Sequence, residues 1–418
     1  MTDALTIDDF GPLPVRRPAT VSDLGGLVRE TAAAGQGVYP VGGGTHLGLG
    51  LPPSKPGIAV DTRGLDQVID YPARDMTITV RAGVTIESLQ KTLAAEGQWL
   101  PVDVPDPARA TLGGALAANL SGPRRLSRGT LRDYVIGISF VADDGVEVKG
   151  GGRVVKNVAG YDLMKLQVGA LGTLGIVTQV TLKVTPKVED QAIIAFGVNA
   201  AAVGPTLDRL HASAARPAAL ELLNAAAAKV AAAAAGIRLP EFDPWVIVAG
   251  FEEKAATVTW QLASLRDELK TAPVRDVTEF RGPACSPIWA ALTGLQTTPD
   301  SRFTFKATVL PSKMGVFATA AAAAHPDLSV HAHALNGIAF GHLAGDATAD
   351  RASALLAALA PTTADANGSL TVRLCPPEWK KVLPIWGAPR GDRAVMRAVK
   401  AALDPKNVFN PGRLFVDA

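Results

Sequence analysis

The stretch Pro40-Val41-Gly42-Gly43-Gly44-Thr45-His46-Leu47-Gly48-Leu49-Gly50 places five glycines in eleven positions, straight after an apolar run from Gly37 to Val41 that reads as a strand. Backbone amides unobstructed by side chains can converge on an anion, so a strand entering such a loop can cradle a phosphate. No Lys-Ser or Lys-Thr pair follows, which excludes a P-loop. Pro52 and Pro53 come too soon for a long helix to open from the loop, which excludes a dinucleotide-binding βαβ unit. Taken alone, the loop fits a glycine-rich surface turn better than a phosphate cradle. Two further segments join it. Thr111-Leu112-Gly113-Gly114-Ala115-Leu116-Ala117-Ala118-Asn119 opens a helix on small residues, and such a helix start offers free N–H groups and a favourable dipole to a pyrophosphate. Gly169-Ala170-Leu171-Gly172-Thr173-Leu174-Gly175-Ile176-Val177 leads small residues into a strand. Close helix–strand packing also demands glycine, yet three such segments within about 140 residues point to one large phosphate-bearing cofactor.

These segments must be held by alternating elements over residues 20–187. Ser22-Asp23 is expected to cap a helix through Leu27 and Val28 that stops at Gly35. Strands are expected at 58–61 and 76–82, with a helix capped by Thr85 between the latter and Gly97. Residues 135–142 and 146–149, joined at Asp143-Asp144-Gly145, read as a hairpin, and 176–184 as a strand. Beyond Lys187 the composition shifts to alanine-rich helices, with 220–235 read as one, between strands near 192–198, 245–251 and 303–310. This spacing suits an antiparallel sheet backed by helices. A helix over 393–403 precedes the tail.

Composition narrows the function classes. The chain has 418 residues, enough for two domains, and 48% of them are hydrophobic. A formal net charge of +2 without a basic run argues against a nucleic-acid partner. Cys285 and Cys375 are the two cysteines, 90 positions apart, and cannot by themselves hold an iron–sulfur cluster or zinc. They are expected to be buried free thiols. Neither a signal peptide nor an apolar stretch long enough to span a bilayer is visible, so a cytoplasmic location is expected, with membrane association only through partners.

Gly42-Gly43-Gly44-Thr45, Ala110-Thr111-Leu112-Gly113-Gly114, Lys156-Asn157-Val158-Ala159-Gly160-Tyr161-Asp162-Leu163 and Gly172-Thr173-Leu174-Gly175-Ile176-Val177 fall in the order seen in FAD-linked oxidases of the vanillyl-alcohol oxidase (PCMH) type, which the chain resembles. Its closing Asn410-Pro411-Gly412-Arg413 is similar to the tail of the D-lactate and glycolate dehydrogenase branch, and within that branch it looks most like the FAD-binding E subunits of bacterial glycolate oxidases. The resemblance implies an α+β protein: a two-subdomain FAD-binding domain (1–187), an α+β cap (188–385) and a returning C-terminal segment (386–418). It further implies that FAD lies along Val41, Gly42, Gly43, Gly44, Thr45 and His46 and along Thr111, Gly113, Gly114, Asn119, Ser121 and Gly122. Gly172, Gly175, Ile176 and Val177 would meet the adenine end, Asn410 would contribute from the tail, and Lys156, Asn157 and Tyr161 would lie near the flavin. The implied partners are a homologous catalytic flavoprotein, an iron–sulfur subunit and a small 2-hydroxy acid.

The same resemblance sets expectations for the chemistry. Relatives with covalent flavin place a histidine directly after the glycine pair, a slot filled here by Thr45, so FAD is expected to be noncovalent. The branch carries a metal motif, His-Ala-Gly-Asp-Gly-Asn-Leu-His plus a later Glu-His. Here the stretch is His333-Ala334-Leu335-Asn336-Gly337-Ile338-Ala339-Phe340, with no later Glu-His, so no metal is expected. His331, His333 and His342 are expected to be structural, with the first two on one face of a strand. For the substrate carboxylate Lys306 is the best candidate, since no arginine follows Trp289 as it does in relatives. Lys306 and Tyr161 are the expected catalytic residues. A solvated strand charge remains open for Lys306. Two activities stay open as well: a 2-hydroxy-acid oxidoreductase, or an FAD-binding subunit with a degraded substrate site that serves assembly or electron transfer.

Overall fold

Thr20 starts the first helix, Val21–Ala33: its side chain accepts from the Asp23 amide while the Asp23 carboxylate accepts from the Thr20 amide. The cap therefore lies two residues before Ser22, because a reciprocal capping box satisfies two orphan amides where a lone cap satisfies one. The computed structural model describes residues 4–152, 162–239, 244–297 and 300–414. The chain divides into two units, one of Met1–Ser121, Thr130–Lys187 and Pro389–Ala418, the other of Gly122–Gly129 and Val188–Ala388. Both mix helices with sheets.

In the first unit, a four-stranded sheet runs in the order Ala4–Ile7, Phe10–Arg16, Gly57–Asp61, Gly37–Val41. Gly37–Val41 pairs parallel with Gly57–Asp61, and Leu24 and Val28 of the first helix share a buried core with Val38 and Val60. The tail extends this sheet: Val38 bridges Phe409 in parallel, with Val38 N donating to Val408 O at 2.7 Å and Asn410 N to Val38 O at 2.9 Å. A second, antiparallel sheet orders Val68–Asp70, Thr77–Arg81, Ile176–Lys183, Val135–Val141, Glu147–Gly151. Its inward residues Ile78, Val80, Ile138 and Val180 pack with Leu89 and Leu93 of Ile86–Ala94, the helix capped by Thr85 as expected.

In the second unit, eight antiparallel strands run in the order Val274–Arg281, Asp190–Val198, Trp245–Glu253, Ala219–Asn224, Ser329–His333, Ile338–Ala344, Ser301–Thr308, Ser369–Leu374. Residues 220–235 are not one helix. Ala219–Asn224 is a central strand, and the helix is Ala225–Ala235, capped by the Asn224 side chain and closed by Gly236 at φ 64°. The two neighbouring strands supply backbone partners on both sides, which outweighs the helix propensity of the leucines. Helices Ala225–Ala235 and Cys285–Gly294 cover one end of one sheet face with Leu223, Val246, Val248 and Trp289. Gly250 is required beneath Trp289, because a Cβ there would stand 2.1 Å from the indole. No helix among the described residues is long and apolar enough to cross a membrane.

Candidate functional site

The first unit brings its glycine segments together around two adjoining clefts. Both clefts are lined by Pro40, Val41, Gly42, Gly114, Ala117, Leu171 and Asn410. One continues along Gly43, Gly44, Thr45, His46 and Thr111, the other along Gly113, Gly172, Gly175, Ile176 and Val177. Glycine is obligatory at two points for packing: a Cβ on Gly43 would lie 1.7 Å from Arg109 O, and one on Gly42 would lie 2.1 Å from Thr111 Oγ1. Gly44 is different: its φ is 72°, and a Cβ there would make only an ordinary contact with Leu47 Cδ1 at 3.7 Å. His46 Nδ1 lies 3.0 Å from Thr45 Oγ1.

Backbone donors left over in the wall mark where this cleft can hold an anion. The helix Leu112–Ala117 offers none of the free amides expected at its start. Leu112 N donates to Val84 O, Gly113 N to Ala82 O and Gly114 N to Thr111 Oγ1 at 3.2 Å. Its first turn is consumed by docking onto the neighbouring strand end. The amides of Gly42, Gly43, Gly44 and Thr45, by contrast, have no acceptor among the described residues. Four successive donors on a cleft wall without side-chain bulk fit the phosphates of an extended ligand. Asn119 and Ser121 do not line either cleft, and Gly122 belongs to the second unit. Lys156, Asn157 and Tyr161 lie outside the described residues.

The tail fastens the same cleft from behind. The buried Arg413 guanidinium donates to the carbonyls of Leu47, Leu49 and Leu51 and to the Asp8 carboxylate, while Leu51 N donates back to Arg413 O. Asn410 Nδ2 donates to Leu171 O at 2.6 Å. Lys400 ion-pairs with Asp404 and donates to Thr173 O at 2.8 Å and Phe409 O at 3.0 Å. Arg413 entered the sequence reading only within the closing Asn410-Pro411-Gly412-Arg413, without a role, and Lys400 escaped it, because Leu47 O, Leu49 O, Leu51 O and Thr173 O lie far away in the chain.

A second set of candidate side chains lies on the second unit's sheet, on the face whose one end is covered by Ala225–Ala235 and Cys285–Gly294. Residues paired across antiparallel strands share a face. One row runs Thr371, Lys306, Phe340, His331, Leu223, with Thr304 and His342 beside it, and Glu221 and His333 on the other side. Glu221 accepts from His333 Nδ1 at 2.7 Å, both side chains being buried. His331 stacks between Phe340 and His342, with centroids 4.9 and 5.4 Å away, and Thr304 Oγ1 lies 3.0 Å from His342 Nδ1. Burial pushes His331 well below the usual histidine range and His342 down to about 4. Parallel rings cannot turn their nitrogens onto one ion. Among the described residues no group of three His, Cys, Asp or Glu could hold a metal.

Lys306 is held by burial, then by Arg373 and Arg125, so that its ammonium is pushed down to about 7. The residue is half-buried on its strand, between a solvated and a fully enclosed charge. Trp289 does meet an arginine, but one from far along the chain: the Arg124 guanidinium lies 4.3 Å from the indole centroid and forks onto Glu252 at 2.8 and 2.9 Å. Arg281 is taken by Asp190, and Arg302 lies over Trp379. Burial pushes the Cys285 thiol up to about 12, consistent with an inert core cysteine. Glu221 was missed in the sequence because residues 220–235 read as helix; Arg124, Arg125 and Arg373 carried no spacing signal.

Comparison with known proteins gives matches over both parts of the chain. The family described as FAD binding domain matches residues 12–151, and the one described as FAD linked oxidases, C-terminal domain, matches residues 185–349 and 389–414. A glycolate oxidase subunit GlcD of Bacillus subtilis (strain 168) is 29% identical over 400 residues, 90% of this chain and 83% of that protein. A glycolate oxidase subunit GlcE of Escherichia coli (strain K12) is 39% identical over 132 residues, 31% of this chain and 38% of its own length. A D-lactate dehydrogenase of Archaeoglobus fulgidus is 30% identical over 204 residues, 47% of this chain and 46% of that protein. Among solved structures, an alkyldihydroxyacetonephosphate synthase superposes with a TM-score of 0.70 at 18% identity, over 96% of this chain and 77% of its own, which speaks to the fold alone.

Proposed function

From the premise that this chain is an FAD-dependent oxidoreductase of the PCMH-type fold, we propose that it is a flavoprotein subunit of a glycolate oxidase-like complex. In this reading it oxidises a 2-hydroxy acid and passes the electrons to an iron–sulfur partner. The observation that carries the cofactor half is the run of unclaimed amides from Gly42 to Thr45 on a cleft wall where side chains are excluded. Those amides would hold the pyrophosphate of FAD. Gly172, Gly175, Ile176 and Val177 would flank the remainder of the dinucleotide, and Asn410 would brace Leu171 beside it. With Thr45 in the slot a covalent histidine would need, the flavin is held noncovalently. When bound, FAD supplies a two-electron acceptor for the hydroxyl-bearing carbon.

The chain's own residues then do the binding. Lys306 supplies the charge for the substrate carboxylate, from a strand locked on both sides by backbone pairing. His331 and His342, held neutral by burial, keep a second positive charge out of the adjoining stack. The match to the E-subunit relative is the more identical, and the match to the D-subunit relative is the longer; we assign the chain to the E position on its tail and cofactor loops. The chain has two cysteines, so onward electron transfer through a cluster falls to a partner.

A second reading is favoured by the Phe340 stack: the chain binds FAD but leaves oxidation to a homologous flavoprotein, because Phe340 stands where the branch's second metal-binding histidine would be. Anaerobic mixing of the purified chain with glycolate or D-lactate decides between them. Bleaching of the flavin absorbance by the chain alone supports catalysis here. Flavin that stays oxidised until partner subunits are added supports the second reading, and a purified chain devoid of flavin overturns both.

A further inference from the structure

Lys306 is not the only cation on its part of the sheet. The edge strand Ser369–Leu374 pairs Thr371 with Lys306 and Val372 with Phe305, then jumps to pair Leu374 with Thr304. Arg373 is the extra residue of that bulge, a device that re-aims a side chain next to functional sites. Among the described residues neither Lys306 nor Arg373 has a hydrogen-bond or ion-pair partner for its charged group. The unit's buried glutamates are engaged elsewhere, Glu221 with His333 and Glu252 with Arg124. Arg125 adds a third positive charge that lowers the Lys306 ammonium further, and burial pushes the Arg373 guanidinium down to about 10. Two half-buried cations on paired strands, with no counter-ion among the described residues, are costly, and a protein retains them where an anion completes the arrangement.

We infer that Lys306 and Arg373 form a two-cation seat, so the acid this unit takes carries a second anionic group, as a 2-hydroxy dicarboxylate does. This rests on the reading of Lys306 as the carboxylate partner. A monocarboxylate such as glycolate can neutralise one cation and leaves the other uncompensated; a dianion neutralises both. The fork geometry of Arg373 suits bidentate capture of the second carboxylate, and the point charge of Lys306 suits the carboxylate next to the hydroxyl.

Titration calorimetry of the FAD-loaded protein at pH 6.5 and fixed ionic strength tests this with unreactive anions, malonate and succinate against acetate and propionate. The dianions are expected to bind about tenfold tighter or more. Arg373→Gln is expected to remove about tenfold from dianion affinity, with less than about a twofold change for monoanions and unchanged flavin content. Arg373→Lys should restore part of the preference, which separates loss of charge from misfolding. Lys306→Met should weaken both classes. Equal affinity for both classes in the unaltered protein, or an unaltered ratio in Arg373→Gln, overturns the two-cation seat while leaving Lys306 as a carboxylate partner. Tight dianion binding by a protein whose flavin no 2-hydroxy acid bleaches would keep the seat and sink the oxidation reading. No binding of either class overturns both.

Discussion

In the first unit, the cleft is made of backbone: glycines at 42, 43 and 44 present amides to it, those at 113, 114, 172 and 175 bring chain segments into contact, and its buried ions, Arg413 and Lys400, work behind the wall. On the second unit's sheet face the reverse holds. There Lys306, His331, His333, His342 and Glu221 project from paired strand positions and Arg373 from a bulge, and backbone pairing serves only to position them. A large cofactor common to many reactions can be gripped by groups every residue possesses, provided side chains stay away. A small acid has to be recognised by charge, so the residue types matter more than the path of the chain. The first kind of site leaves a motif in the sequence, and the second leaves scattered single residues.

Breaking the backbone-built region should cost most. Gly43→Ala drives a methyl into Arg109 O, and shifting that chain should lower stability by about 3 kcal/mol and abolish flavin retention, measured by thermal melts and the absorbance ratio of the purified protein. Arg413→Ala leaves Asp8 and three carbonyls unserved behind the same wall. We expect a loss of about 3 kcal/mol with weakened FAD binding, partly relieved when Asp8→Asn is added. If either variant keeps full flavin occupancy and its melting temperature, the cleft is not held by these contacts.

Changes on the sheet face should leave the flavin in place. Lys306→Met is expected to lower the rate of flavin reduction by a 2-hydroxy acid by about 10- to 100-fold, read by anaerobic stopped flow, with the melting temperature nearly unchanged. The sign of the pH effect follows from the same lysine. With its pKa pushed down to about 7, the free protein carries the charge below that pH and loses it above, so carboxylate affinity should fall as pH rises through 7. A bound carboxylate favours the ammonium and moves the fall upward in the complex; Lys306→Arg should flatten it. Smallest is Glu221→Gln, which keeps a hydrogen bond to His333 and removes the charge. About 1 kcal/mol of stability is expected to be lost, with flavin content intact. A large loss of flavin from that variant would show that the two regions are not separable in function.

Much of the first unit was legible in the chain. The strand Gly37–Val41, the cap at Thr85 and the hairpin through Asp143-Asp144-Gly145 follow from local pattern, and so does the convergence of the three glycine segments. The misplaced first cap and the false helix start at Leu220 have one cause. In both, a reciprocal or long-range partner, Asp23 for Thr20 and two flanking strands for Ala219–Asn224, outweighed the nearest local signal. The expected free amides at Leu112–Ala117 failed likewise, since Val84 O and Ala82 O claim them from another segment.

By itself the sequence determined where side chains are absent, because glycine's conformational and steric freedom is a property of one residue and survives outside any fold. Only the tertiary structure decided which charges are left over. Whether Lys306, Arg373, Arg413 or Glu221 is paired, stacked or uncompensated depends on strands and tails hundreds of residues apart, and on how much water their packing removes. The cofactor could be read from motifs in order; the proposed seat for an acid depends on the assembled sheet.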